Sequence, residues 1–301
     1  MRQGVKIANF GIVTIMLLLH GCSIYTLRSS KELRKNRFVV LALYLSLSDI
    51  ALALEFIYHN ILRLFDTQSM QSATFQYQCM MLTNLICGTV LWSLIQTLLI
   101  CLERLNATFT TKKTILNHLT SNKSVILCFI VCHVSALLRF GIETISGPIA
   151  CDPKNSAVPL ILFSHDIPYI SVFVLITSCY GVVVYRITRK RAGTIGVRAS
   201  QSTKADTIRM RKNVITLGLI ITLILLLVLL RYIAIGLLYI GNGSDINDTL
   251  FIIFNNIFAL LNPLLDPVIY VLRIKKYRDY LRCKCLRRNS VSDVINLASR
   301  S

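Results

Sequence analysis

Residues 214–240 read VITLGLIITLILLLVLLRYIAIGLLYI, an apolar run whose one charge is Arg231. A bilayer core about 30 Å thick is crossed by about 20 apolar residues in a helix. A helix serves because it satisfies its own backbone groups in hydrocarbon. Six other stretches share this character. The spans are placed near 6–27, 38–62, 76–103, 124–142, 163–186, 211–240 and 248–272. The fourth is the shortest and carries His133 and Arg139. Over the 301 residues, 54% are hydrophobic and 16% charged, with mean hydropathy +0.62. One soluble core of this size does not hide so much apolar surface. The expected fold is an all-α membrane protein, a seven-transmembrane helix bundle. No internal repeat is visible. No cleavable leader is evident, and the first span reads as an uncleaved anchor.

The net charge of +19 would suit nucleic acid, but the basic residues fall in bands between apolar runs. Segments 28–37, 104–123, 186–212 and 273–301 hold 27 of the 33 Lys and Arg. The other side and the span interiors hold only Arg2, Lys6, Arg63, Arg139, Lys154 and Arg231. Positive residues stay on the cytoplasmic side. This predicts an extracellular N-terminus, a cytoplasmic C-terminus and no nucleic-acid partner. A multi-pass protein of the plasma membrane follows from this reading.

Cys79 lies 25 residues before Arg104, about 37 Å along a helix at 1.5 Å per residue. With Arg104 at the cytoplasmic face, Cys79 is at the extracellular one. Cys151 is the other cysteine clearly in an outside loop, where oxidising conditions favour a Cys79–Cys151 disulfide. Most of the other cysteines lie within spans, as small buried thiols. The sequons at Asn242 and Asn247 fall outside and are candidate glycosylation sites. Those at Asn106 and Asn122 fall on the cytoplasmic side and read as chance matches.

Several motifs stand in order along the chain. LSLSD (45–49) ends in the mid-span Asp49. Glu103-Arg104-Leu105 closes the third span. Tyr180 lies in SCYGVVVYRI, and NPLLDPVIY (262–270) contains Asp266, Pro267 and Tyr270. RIKKYRDYLRCKC follows (273–285). With Cys79, these resemble the rhodopsin-like (class A) G-protein-coupled receptors along nearly the whole chain. The resemblance implies a receptor domain over 1–286, including a short amphipathic eighth helix, and a cytoplasmic tail over 287–301. Departures are plain. Leu105 stands where the family has an aromatic, and Cys22 follows Gly21 where Asn is usual. The fourth span lacks its tryptophan. Val172 lies near the fifth-span proline position. Leu229 and Arg231 replace the tryptophan and proline of the sixth-span hinge, and proline is a common cause of a sharp helix bend.

Asp49, Ser93, Asn262 and Asp266 lie at similar depth, and carboxylates in hydrocarbon face the bundle interior. In the family a sodium ion occupies this place in many inactive receptors. Two close acids hold a cation or share a proton, because ionising both without neutralisation is costly. A hydrogen-bonded core with water is the plain alternative. Nearer the outside, Glu55 and His59 share a face of the second span. Arg231 and Tyr232 on the sixth span and Asn255 and Asn256 on the seventh complete a candidate ligand pocket. Arg231 needs Glu55, Asp166 or an acidic ligand; the internal pair and the ligand role stand equally. A guanidinium would favour carboxylate or phosphate.

Ile86 stands where aminergic members carry aspartate, which disfavours a biogenic amine. The seventh span has no lysine, so retinal is excluded. The few residues ahead of the first span predict no ectodomain for a large hormone. A small molecule or short peptide is the expected ligand, and no other cofactor is implied. No metal spacing, nucleophile motif or phosphate loop suggests an enzyme.

On the cytoplasmic side the resemblance implies docking of a heterotrimeric G protein. Arg104 is expected to meet the G protein or Tyr180 and Tyr270 in the active state, with Glu103 holding it at rest. Asp266 and Pro267 belong to the same switch. Arg211 stands near the place of the acid that in many relatives restrains the arginine. Ile274, Tyr277 and Leu281 form the apolar face of an interfacial helix on membrane lipid. Cys283 and Cys285 follow as palmitoylation candidates. The competing class is a non-signalling decoy or small transporter on the same scaffold.

Overall fold

The computed structural model describes residues 2–29, 35–62, 72–109, 111–145 and 166–192, with 226, 229, 230, 233, 260, 261 and 263–267. Its helices are α1 (Arg2–Ser29), α2 (Arg37–Leu62), α3 (Ala73–Asn106), α4 (Thr114–Leu119), α5 (Asn122–Ile145) and α6 (Ile167–Ala192). All but α4 contain a stretch long and apolar enough to cross a membrane. The chain is a multi-pass helical membrane protein, and the described residues contain no strand. Most of the sixth and seventh spans, the expected eighth helix and the tail lie outside the described residues. Those of their positions that are described, such as Leu226 and 263–267, are helical.

Local chemistry sets the helix starts. Ser72 caps α3, its hydroxyl accepting from the Phe75 amide at 3.3 Å. Asn36 Oδ1 accepts from the Phe38 amide at 3.1 Å ahead of α2. Ser121 Oγ accepts from Ser124 N at 3.3 Å ahead of α5. After α3 the chain turns through Asn106, which is buried. Its Nδ2 donates to Asn117 Oδ1 at 2.7 Å, and its Oδ1 accepts from Lys113 N at 2.9 Å. That carboxamide is a turn brace with both ends engaged.

Helix α3 is the hub, packing on α2, α4, α5 and α6, while α1 packs on α2. Phe38, Leu41, Leu45, Leu99, Ile100 and Val125 form one apolar cluster towards the Arg104 end. Val13, Met16, Leu52, Phe56 and Leu260 form another further along. The α3–α5 crossing is close at Gly88. A Cβ there would lie 3.0 Å from Ala136 Cβ and 3.2 Å from the Cys132 carbonyl oxygen. Small residues permit such approach between membrane helices.

Burial is inverted relative to a soluble protein. His20, Asp49, Asn84, Thr89, Ser93 and Gln96 are buried, whereas Leu127, Ile130, Val131, Leu138 and Ile142 on α5 are exposed. Lipid makes an apolar outer face natural, and polar side chains turn inward, away from hydrocarbon.

Candidate functional site

The buried polar core joins four segments. On α2, Asp49 Oδ1 accepts from Ser93 Oγ of α3 at 3.0 Å. The Asp49 carboxyl also stands beside that of Asp266. From α1, His20 Nε2 donates to the Pro263 carbonyl at 2.8 Å and stands 3.6 Å from Asp49 Oδ2. The chain itself creates the need for His20. Pro267 has no N–H, so the carbonyl four residues earlier, at Pro263, has no helical donor. His20 supplies one. Asp49, Ser93 and Asp266 therefore meet, as the spacing anticipates, and Asn262 lies outside the described residues. His20 was not anticipated. The Pro263/Pro267 spacing was its signal, since it leaves a carbonyl for a neighbouring helix to satisfy. Among the described residues no three His, Cys, Asp or Glu side chains gather as a metal site.

At the far end of α3, the Arg104 guanidinium lies over the Phe38 ring, 3.8 Å from its centroid. Glu103 lies within electrostatic reach of Arg37. Arg37 Nη1 in turn donates to Asn122 Oδ1 at 2.5 Å. The adjacent Glu103 and Arg104 thus have other neighbours, on α2. Tyr180 packs on the cluster of Cys101, Ile176 and Cys179, beside Leu102 and Leu105. Arg186 of α6 covers the Phe109 ring at 3.9 Å. Pro267 is helical, and Tyr270 lies outside the described residues.

Of the expected ligand-pocket residues, Glu55 and His59 are described and half-buried. Arg231, Tyr232, Asn255 and Asn256 lie outside the described residues. Glu55 Oε1 accepts from Thr89 Oγ1 at 2.8 Å. Thr89 Oγ1 is also 3.3 Å from His133 Nε2, and His133 Nδ1 donates to the Phe129 carbonyl at 2.9 Å. Trp92 packs edge-on against both rings.

A second buried network went unread in the sequence. Glu143 accepts from Arg139 Nε and from Asn84 Nδ2, each at 2.7 Å. Arg139, a blemish in the fourth span, is answered by the acid one turn on. The Arg-x-x-x-Glu spacing could have revealed it.

Cys79 is disulfide-bonded. Cys22, Cys128, Cys132 and Cys179 are free thiols. Cys151, Asn242, Asn247, Cys283 and Cys285 lie outside the described residues. No protein-family model and no curated protein sequence matches the chain.

Proposed function

We propose that this chain is a cell-surface receptor of the rhodopsin-like type. It binds an extracellular small molecule or short peptide and activates a heterotrimeric G protein by helix rearrangement. The observation that supports this most is the meeting of Asp49, Ser93 and Asp266. These are positions that the motif resemblance and the span depths single out from three separate parts of the chain.

In this reading the protein sits in the plasma membrane with its N-terminus outside. Spans six and seven complete the bundle, and an eighth helix follows on lipid. Cys79 pairs with Cys151, Asn242 and Asn247 are the glycan acceptors, and Cys283 and Cys285 carry acyl chains. Glu55, His59, Arg231, Tyr232, Asn255 and Asn256 face the ligand. A sodium ion or a shared proton neutralises Asp49 and Asp266. Arg104, with Glu103, Tyr180 and Tyr270, is the coupling switch.

The experiment is nucleotide exchange on reconstituted G proteins, comparing the wild type with Arg104→Ala. Exchange that depends on Arg104, basal or ligand-driven, supports the receptor. Its absence across a broad ligand panel favours the non-signalling decoy or transporter.

A further inference from the structure

Glu55, Thr89 and His133 come from α2, α3 and α5 and form one hydrogen-bonded chain. Donor counting says more about it than the distances do. The Phe129 carbonyl can only accept, so His133 Nδ1, 2.9 Å away, carries a proton. A threonine hydroxyl has one proton to give. With His133 neutral, Nε2 only accepts; with Glu55 ionised, its carboxylate only accepts. Thr89 would then face two acceptors, at 2.8 and 3.3 Å, with one proton. All three bonds coexist only when the chain holds one further proton. That proton sits on His133 Nε2 with Glu55 ionised, or on Glu55 with His133 neutral. Either way the two residues sum to zero charge, which suits a hydrocarbon setting.

The surroundings close over this site. Thr89 is fully buried. Phe129 and Trp92 lie against the His133 ring at centroid distances of 4.2 and 5.8 Å. Glu55 Oε2 is buried with no hydrogen-bond partner among the described residues. Among the described residues, no cation is paired with Glu55 or His133. On α3, Cys87 faces Glu55, and on α2, His59 stands one turn further along. On α5, Arg139 is committed to Glu143, and Cys128 and Cys132 are free thiols. Val13 and Met16 of α1 and Leu260 join Leu52 and Phe56 in one apolar cluster.

We propose that Glu55, Thr89 and His133 form a proton-binding relay that clamps α2, α3 and α5 together, and that the clamp opens when its proton leaves. This holds whether or not the chain couples to a G protein.

The test is thermal unfolding of the full chain in lipid nanodiscs between about pH 5 and about pH 8. Wild type is compared with Glu55→Gln, Thr89→Ser and Thr89→Val. A carboxamide at position 55 donates to Thr89, which then donates to a neutral His133, so the relay is complete without a titrating proton. The folded wild type binds the proton, so its stability falls as pH rises through release. Its Tm should drop relative to Glu55→Gln by about 3 °C, the size of one lost buried hydrogen bond in a chain this long. Thr89→Ser should keep the wild-type slope and Thr89→Val should lose it. A Glu55→Gln profile parallel to wild type overturns the proposal. If Glu55→Gln does not fold, equal slopes for the serine and valine variants overturn it and unequal slopes support it.

Discussion

His20 Nε2 donates a 2.8 Å hydrogen bond to the carbonyl of Pro263, a residue 243 positions further along the chain. The bond ties the first membrane helix to the segment that carries Asp266. It exists because Pro267 cannot donate to that carbonyl. A backbone defect on one helix is thus repaired by a side chain of another.

Removing that repair should be felt. His20→Leu leaves the carbonyl without a donor, and an unsatisfied buried polar group costs about 1–3 kcal/mol. His20→Gln keeps an N–H and should lose less. Thermal unfolding of the two variants in the same detergent checks the order. Equal losses would mean that ring packing, not the bond, is what matters.

The Gly88 crossing predicts a steric outcome. Gly88→Ala drives a methyl to 3.0 Å from Ala136 Cβ and should destabilise by about 1–3 kcal/mol, the usual range for overpacking. Adding Ala136→Gly should recover part of the loss, because the Cys132 carbonyl still stands 3.2 Å away. A double variant no better than the sum of its parts would place the strain elsewhere.

Breaking the buried Arg139–Glu143 pair on one side should be worse than removing both charges. Arg139→Met leaves Glu143 short of its cation and should cost about 3–5 kcal/mol. Arg139→Met with Glu143→Leu should cost less, since no unpaired charge is left. Denaturation midpoints of the single and double variants give the coupling. An additive result would show that the pair does not act as a unit.

On the receptor reading, Glu103 and Arg37 restrain the Arg104 region together. Glu103→Gln should raise basal nucleotide exchange, and Arg37→Gln should move it in the same direction. The double variant should match the larger single effect rather than their sum. Independent, additive effects would separate the two residues. A silent Glu103→Gln would return Glu103-Arg104 to a simple membrane-edge pair.

Element placement was legible because hydropathy and length suffice for it. Spans expected near 6–27, 38–62 and 124–142 correspond to Ile7–Ser29, Arg37–Leu62 and Asn122–Ile145. The meeting of Asp49, Ser93 and Asp266 was legible too, because a carboxyl at mid-membrane has few places to face but inward. His20, Thr89, His133, Asn84 and Glu143 were harder. Each is an ordinary polar residue in an apolar run, and its role depends on which helix faces meet.

The amino-acid order alone settles where the chain is greasy enough to enter a bilayer and which charges cannot face lipid, since both are local properties of side chains. Packing settles the partnerships. Only when Gly88 lets α5 approach α3, and α2 lies alongside, does Thr89 come within reach of both Glu55 and His133. Only when α1 lies beside residues 263–267 does His20 find the carbonyl that Pro267 left free. Hydrogen bonds act over about 3 Å, so no spacing along one helix can announce a contact between three.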